Sequence, residues 1–435
     1  MTEIVRSLVV VGAGQAGTEL AFAARQQGWQ GSITIVGDEA HLPYQRPPLS
    51  KAYLSDAVAA DALTLRSAEA FVKASIDLRL ATGVRALDRH AHRIDLDDGT
   101  SLTYDKLAIC TGGRARPLQC PGLLAAPPAN LRYLRHRDDA DRLRRLLGPG
   151  RRLVVVGGGY VGLEVAASAR KAGAEVTLLE AQDRVLARVT GSDLSRFYED
   201  VHRAAGVDMR TSTAVAGVEC DGDGNIATVV CSDGTRVDTD VVVAGLGMLP
   251  NVEFAEAAGL VVDGGIVVDL RAQTSDPDIV AAGDCTVHHS PLYDRIVRLE
   301  SVPNALEQGR AAASTLTGKS KAAGGAPWFW SDQYDLKLQM VGLSQGFRST
   351  VLRGDMASHS FIVFYLGDDR VLAADAVNRP VDFMFAKKLV GRSLHGDPEL
   401  AAVLGDSGIA LKDVLGARLA ADAAVAEPAS RTLVI

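Results

Sequence analysis

At 435 residues the chain is longer than one hydrophobic core usually organises, which predicts two or three domains. A net charge of −7 argues against a general nucleic-acid surface, so an acidic partner must be met by a local basic patch. No apolar run approaches the roughly 18 to 20 residues of a membrane span, and no cleavage-site pattern follows the opening strand. Five widely spaced cysteines, Cys110, Cys120, Cys220, Cys231 and Cys285, contain no C-x-x-C pair, which disfavours a disulfide framework or a metal cluster. The expectation is a cytoplasmic, soluble enzyme with no metal site.

The opening segment predicts a strand at Val9-Val10-Val11, a turn at Gly12-Ala13-Gly14-Gln15-Ala16-Gly17 and a helix carrying Leu20, Ala23 and Ala24. A second strand, Ile33 to Val36, leads to Asp38. This order is a dinucleotide-binding pattern: Gly12 permits the tight turn, Gly14 lets backbone approach a pyrophosphate, Gly17 lets helix and strand pack, and Asp38 can bind ribose hydroxyls. A crossing between domains is expected at Cys120-Pro121-Gly122 with Pro127-Pro128.

The same unit then recurs. Leu153 to Val156 leads into Gly157-Gly158-Gly159-Tyr160-Val161-Gly162, a helix through Leu163 to Ala172, and a strand at Val176 to Leu179 ending in Glu180. Two fingerprints imply two dinucleotides. A carboxylate at Glu180 would accept ribose hydroxyls and repel a 2′-phosphate, which favours NADH, while the nearby Arg184 keeps NADPH open. A second crossing is expected near Gly245 to Asn251. Thr274 to Asp284 reads as an apolar strand ending in Gly283-Asp284, suited to hydrogen-bonding a flavin ribityl chain or serving as an ordinary turn acid. A third boundary is expected at Gly324-Gly325, before the aromatic run Trp328-Phe329-Trp330.

Further segments carry a family resemblance: Arg46-Pro47-Pro48-Leu49-Ser50-Lys51, Thr111-Gly112-Gly113, Glu164, Glu300-Ser301-Val302-Pro303-Asn304-Ala305 and Pro327-Trp328-Phe329-Trp330-Ser331-Asp332-Gln333. With these the sequence resembles, over its whole length, the two-dinucleotide-binding flavoprotein reductases, and within them the NADH-dependent ferredoxin reductases of bacterial oxygenase systems. The resemblance implies that Gly12, Gly14, Ala16, Asp38, Arg46, Lys51, the backbone near Val84, Arg135, Asp284 and Val302 hold FAD, and that Gly157, Gly159, Gly162 and Glu180 hold NADH. It also implies a Lys51–Glu164 pair beside flavin N5, where an ammonium can polarise the ring and a buried cation needs a carboxylate. Tyr160 takes the place of an aromatic residue near the nicotinamide path, with core packing as the alternative. Trp330 and Trp328 border the flavin in the family, or else form a core cluster. Pro303 suits the start of a helix whose positive end is available to the flavin N1–O2 region.

The expected fold is α/β, with two Rossmann-like dinucleotide-binding domains of the glutathione-reductase-like kind and a C-terminal α+β domain. The expected boundaries are 1–114 and 246–325 for FAD, 115–245 for NADH and 326–435 for the C-terminal domain. The resemblance implies hydride transfer from NADH to FAD and single-electron delivery to a [2Fe–2S] ferredoxin serving a cytochrome P450 or similar oxygenase. Rubredoxin reductase and the reductase component of an aromatic-ring dioxygenase remain alternatives. An interaction protein like apoptosis-inducing factor is a rival of another class, disfavoured by the acidic balance. Disulfide reductases are disfavoured because Pro43 to Lys51 contains no cysteine. An acidic ferredoxin would need a basic dock, for which Arg310, Lys387, Lys388 and Arg392 are candidates, a solvated helix face being the other reading of Lys387-Lys388.

Overall fold

A computed structural model describes residues 6–124, 126–393 and 400–417. The chain divides into two compact units, Met1–Val185 with Glu199–Gly325, and Leu186–Tyr198 with Ala326–Ile435.

In the first unit, strand β1 (Ser7–Val11) ends in four consecutive buried apolar residues, as a strand covered on both faces of a parallel sheet requires. Helix α1 (Gln15–Gln26) returns the chain to β2 (Ser32–Val36), and β3 (Ile76–Arg79) and β4 (Lys106–Ile109) extend the sheet. The order is β3–β2–β1–β4, with Ile279–Ala281 beyond β4, and every pairing is parallel. Because β1 has its successors on opposite sides, a crevice opens at its C-terminal end, where the first glycine turn sits.

The plan then repeats with β5 (Leu131–Arg132), β6 (Arg152–Val156), α2 (Tyr160–Lys171), β7 (Glu175–Leu179), β8 (Val207–Arg210) and β9 (Val241–Ala244). Their order is β8–β7–β6–β9–β5, again wholly parallel. Between the sheets, Gly113–Ala115 and Met248–Pro250 pair antiparallel, with Gly113 opposite Pro250. The outgoing and returning chain therefore run side by side.

Helix α3 (Val302–Leu316) is capped by the Ser301 hydroxyl, which accepts from the Asn304 amide. It lies close against α1 at Gly309, where an added Cβ would fall 2.9 Å from the Ala16 carbonyl oxygen. Among the described residues no helix is long and apolar enough to cross a membrane.

The second unit is built on an antiparallel sheet of β10 (Trp328–Gln333), β11 (Leu336–Gly342), β12 (Ser349–Asp355), β13 (Ser360–Leu366) and β14 (Val371–Val377), ordered β10–β11–β14–β13–β12. Helix α4 (Pro380–Leu389) follows β14. Phe361, Ile362, Val363, Phe364 and Tyr365 are all buried, so β13 is covered on both faces, each such side chain contributing roughly 1.5–3 kcal/mol. Residues Leu186–Tyr198, expected from sequence to lie in the 115–245 domain, belong to this unit. They are held there by polar contacts: Thr190 donates to Asp375 Oδ2 at 2.6 Å, the Gly191 amide donates to the Tyr365 hydroxyl at 3.1 Å, and Ser344 donates to the Val189 carbonyl at 3.1 Å.

Candidate active site

The first glycine turn is closed where it supports the fold and open where a ligand would lie. Gly12 has φ +110°, and a Cβ there would fall 2.2 Å from the Cys110 carbonyl oxygen; a Cβ on Gly17 would fall 2.1 Å from the Gly12 carbonyl oxygen. A Cβ on Gly14 would meet nothing within 4 Å. Gly14 is also the N-cap of α1 and supplies no side-chain cap, so the helix's first N–H groups face this space, a ready anion site. Asp38 is exposed two residues past β2. Ala16 lies under the Gly283–Asp284 turn, where a Cβ on Gly283 would come within 3.1 Å of its own Cβ.

The second turn repeats the design. A Cβ on Gly157 (φ +107°) would fall 2.5 Å from the Gly245 carbonyl oxygen and one on Gly162 2.0 Å from that of Gly157, whereas one on Gly159 would meet nothing within 4 Å. Tyr160 opens α2 and is half-buried. The Glu180 carboxylate is fixed by two backbone amides, Gly158 N to Oε2 at 2.6 Å and Gln182 N to Oε1 at 2.7 Å.

Beside the first turn stand two guanidinium groups. Arg46 donates to Glu39 Oε1 at 2.5 Å and to the Arg135 carbonyl at 2.9 Å. Arg135 reaches Asp284 Oδ2 at 3.3 Å, and Asp139 Oδ2 accepts both the Arg135 and the His136 amides. Burial by itself would raise the Glu39 carboxyl, but the His136 hydrogen bond, the Arg46 charge and the Tyr44 hydroxyl together bring it to about 2. Burial, then repulsion from Arg46, lowers the pKa of Arg135 although Asp284 opposes the shift. Arg135 Nε is buried without a hydrogen-bond partner. A buried orphan donor beside an open glycine turn fits a diphosphate, which would relieve both the desolvation and the repulsion.

The two folds meet at Lys51 and Glu164. Lys51 Nζ lies 2.8 Å from Glu164 Oε2, with side chains 11% and 2% exposed, and also donates to the Pro47 carbonyl at 3.2 Å. The Ser50 hydroxyl donates a short hydrogen bond to the same Oε2, and Ser168, one turn beyond Glu164 on α2, donates to the Ser50 carbonyl at 2.8 Å. At the Asp284 turn, the Gln308 side-chain oxygen accepts from the Gly283 amide at 2.8 Å and from Thr286 Oγ1 at 3.0 Å, tying the turn to α3. Val302 is the first residue of α3. Val84 opens a separate antiparallel strand, Val84–Asp88, where it pairs with Leu96.

Trp330 belongs to the second unit, on β10, with its ring 5.8 Å from that of Trp328. Lys387 Nζ stands 4.1 Å from the Trp328 ring centroid, a cation–π contact, and Arg392 donates to the Lys388 carbonyl at 2.8 Å. In the first unit, Arg310 is ion-paired with Glu19 at 2.6 Å.

All five cysteines are free thiols, with Cys110, Cys231 and Cys285 buried. Burial pushes the Cys110 and Cys285 thiols up, away from the thiolate that disulfide exchange needs. Glu39, Tyr44, His136, Ser50, Ser168 and Gln308 were not anticipated from sequence. Only Ser50, beside Lys51, carried a signal, since it lies within the Arg46–Lys51 segment.

The family model described as pyridine nucleotide-disulphide oxidoreductase matches residues 6–309, and that described as reductase C-terminal matches residues 328–415. Putidaredoxin reductase CamA of Pseudomonas putida is 50% identical, over 94% of this chain and 97% of that protein. Rhodocoxin reductase of Rhodococcus erythropolis is 44% identical, over 91% and 92%. Among solved structures, the reductase in a covalent putidaredoxin reductase–putidaredoxin complex superposes with a TM-score of 0.91 at 49% identity, covering 95% of this chain and 99% of that one. The chain therefore belongs to the pyridine nucleotide-disulphide oxidoreductase family and, within it, to the ferredoxin reductases.

Proposed function

We propose that the protein takes hydride from NADH onto a bound FAD and delivers electrons singly to a [2Fe–2S] ferredoxin that feeds a cytochrome P450 or similar oxygenase. The observation that carries this reading is the buried Lys51–Glu164 pair joining two dinucleotide folds, each with a glycine turn that is open at its middle glycine. FAD supplies the change from two-electron to one-electron chemistry. Gly12, Gly14, Arg46 and Arg135 would hold its diphosphate, Asp38 its adenosine ribose and Asp284 its ribityl chain. The α3 N-terminus would supply positive potential to the charge that reduced flavin accumulates. Glu180 would hold the NADH ribose, and Lys51 would present its remaining ammonium hydrogen to the flavin.

The partner is proposed to be an acidic ferredoxin, for which Lys387, Lys388 and Arg392 in the second unit, and separately Arg310 in the first, are candidate basic contacts. Because Arg310 already pairs with Glu19, its reversal also removes that bridge, which makes Lys388 the cleaner test. The reading places the enzyme in the cytoplasm, where NADH is abundant and five thiols stay reduced. Lys388→Glu should raise KM for ferredoxin about threefold to tenfold and flatten its salt dependence, leaving NADH-to-ferricyanide turnover unchanged. Equal loss with both acceptors, or with neither, would place the dock elsewhere.

A further inference from the structure

We propose that Ser50 is a positioning residue for hydride transfer: its hydroxyl fixes the Glu164 carboxylate, and through it the Lys51 ammonium, where the two dinucleotide folds meet. The inference rests on the reading that the Lys51–Glu164 pair acts at the flavin.

Ser50 closes the short turn Pro47–Ser50, and Lys51 follows it directly, its amide bonded to the Pro48 carbonyl at 3.0 Å. The turn therefore fixes the Lys51 backbone but leaves a long side chain free to rotate. Contacts near its end hold the ammonium: the Pro47 carbonyl of the same turn at 3.2 Å and, closer at 2.8 Å and carrying the counter-charge, Glu164 Oε2. The carboxylate comes from α2, on the other glycine-turn fold, so its position depends on how helix and turn are joined.

Ser50 makes that joint twice. Its hydroxyl donates to Oε2 and its carbonyl accepts from Ser168, the residue one turn along α2 on the same face. A hydroxyl has one proton. The other acceptor within reach, the Pro47 carbonyl, is 3.5 Å away, so the proton goes to the carboxylate. Ser50, Glu164 and Ser168 are all buried, which makes these bonds stronger than they would be in water. Ser50 and Lys51 thus converge on one carboxylate oxygen, and loss of the hydroxyl would remove one of the bonds that set where that oxygen meets the ammonium.

The experiment compares Ser50→Ala, Ser50→Thr, Glu164→Gln and Ser50→Ala/Glu164→Gln. Four quantities are read: limiting rate of flavin reduction by NADH, KM for NADH, midpoint potential of the bound flavin, and FAD affinity of the apoprotein. Ser50→Ala should slow the limiting rate about tenfold, as expected for losing one hydrogen bond to a charged group. It should lower the potential, while KM and apoprotein FAD affinity stay within about twofold of wild type. Ser50→Thr should restore rate and potential. In the Glu164→Gln background, Ser50→Ala should add less than about twofold.

A wild-type rate and potential in Ser50→Ala, or a Ser50→Thr variant as slow as Ser50→Ala, overturns the inference alone, provided Glu164→Gln is slow. A full Ser50 effect in the Glu164→Gln background also overturns it. A wild-type rate in Glu164→Gln overturns the reading of the pair, and the inference with it. Should Ser50→Ala fail to fold, Ser50→Cys, close in size and a weak donor, gives the same comparison.

Discussion

The Gly158 amide donates to Glu180 Oε2 at 2.6 Å, so the acid that follows β7 is oriented by the second glycine turn. With the Gln182 amide on the other oxygen, the carboxylate is held in one orientation, and in the proposed role it would accept two ribose hydroxyls and repel a phosphate in their place. Glu180→Ala should therefore narrow the ratio of kcat/KM for NADH over NADPH by roughly tenfold, the scale of one charge-assisted interaction. Steady-state kinetics with both nucleotides checks this. An unchanged ratio would show that another residue reads the ribose.

Glycine substitutions should separate fold from ligand. Gly12→Ala drives a Cβ into the Cys110 carbonyl at a backbone conformation that side chains rarely adopt, whereas Gly14→Ala meets only open space. Gly12→Ala should lower the melting temperature and give little soluble protein. Gly14→Ala should fold with a near-wild-type apoprotein melting temperature but bind FAD at least about tenfold more weakly, because the methyl would occupy the place proposed for the diphosphate. FAD titration of both apoproteins decides it, and equal FAD affinity in Gly14→Ala and wild type would move the diphosphate elsewhere.

Removing one member of the Lys51–Glu164 pair leaves the other buried without its counter-charge. Glu164→Ala should destabilise by about 3–5 kcal/mol, and Lys51→Met should slow flavin reduction or weaken FAD retention. The double variant should be less impaired than the sum of the singles. Chemical denaturation and rapid-mixing kinetics test this, and strict additivity would mean that the groups do not act together.

Asp375 makes the stability of the second unit depend on pH. Burial raises its carboxyl to about 6, against the pull of hydrogen bonds from Thr190 and Tyr365. The folded state thus binds this proton more tightly than the unfolded chain. Stability from this group is present at low pH and is lost as pH rises from about 4 through about 6, a change on the order of 2–3 kcal/mol. Asp375→Asn keeps an acceptor for both hydroxyls without the charge, so its stability should exceed wild type at pH 8 and match it near pH 4. Parallel stability-against-pH curves for the two proteins would contradict this.

The parallel-sheet core was legible because Leu8 to Val11 and Leu153 to Val156 are unbroken apolar runs followed at once by glycine turns, a strong local signal. The contacts that complete the site were not. Glu39 with Arg46 and His136, and Ser50 with Glu164, join residues set together by tertiary packing, and nothing in local periodicity marks a serine as a carboxylate's partner. Lys51 and Glu164 entered through family resemblance; taken alone, Lys51 reads as a surface lysine. The placement of Leu186–Tyr198 in the second unit depends on Asp375 and Tyr365, far along the chain, and Arg310 looked available for docking because its bridge to Glu19 crosses from α3 to α1.

The most direct test mixes NADH anaerobically with the purified protein and a [2Fe–2S] ferredoxin, following flavin and iron–sulfur absorbance in stopped flow. The account predicts one non-covalent FAD per chain, flavin reduction by NADH first, and ferredoxin reduction next in single-electron steps. A folded variant with all five cysteines replaced should follow the same course. A protein that stays colourless with excess FAD, a flavin that NADH does not reduce, or electron transfer that disappears with the thiols would contradict it.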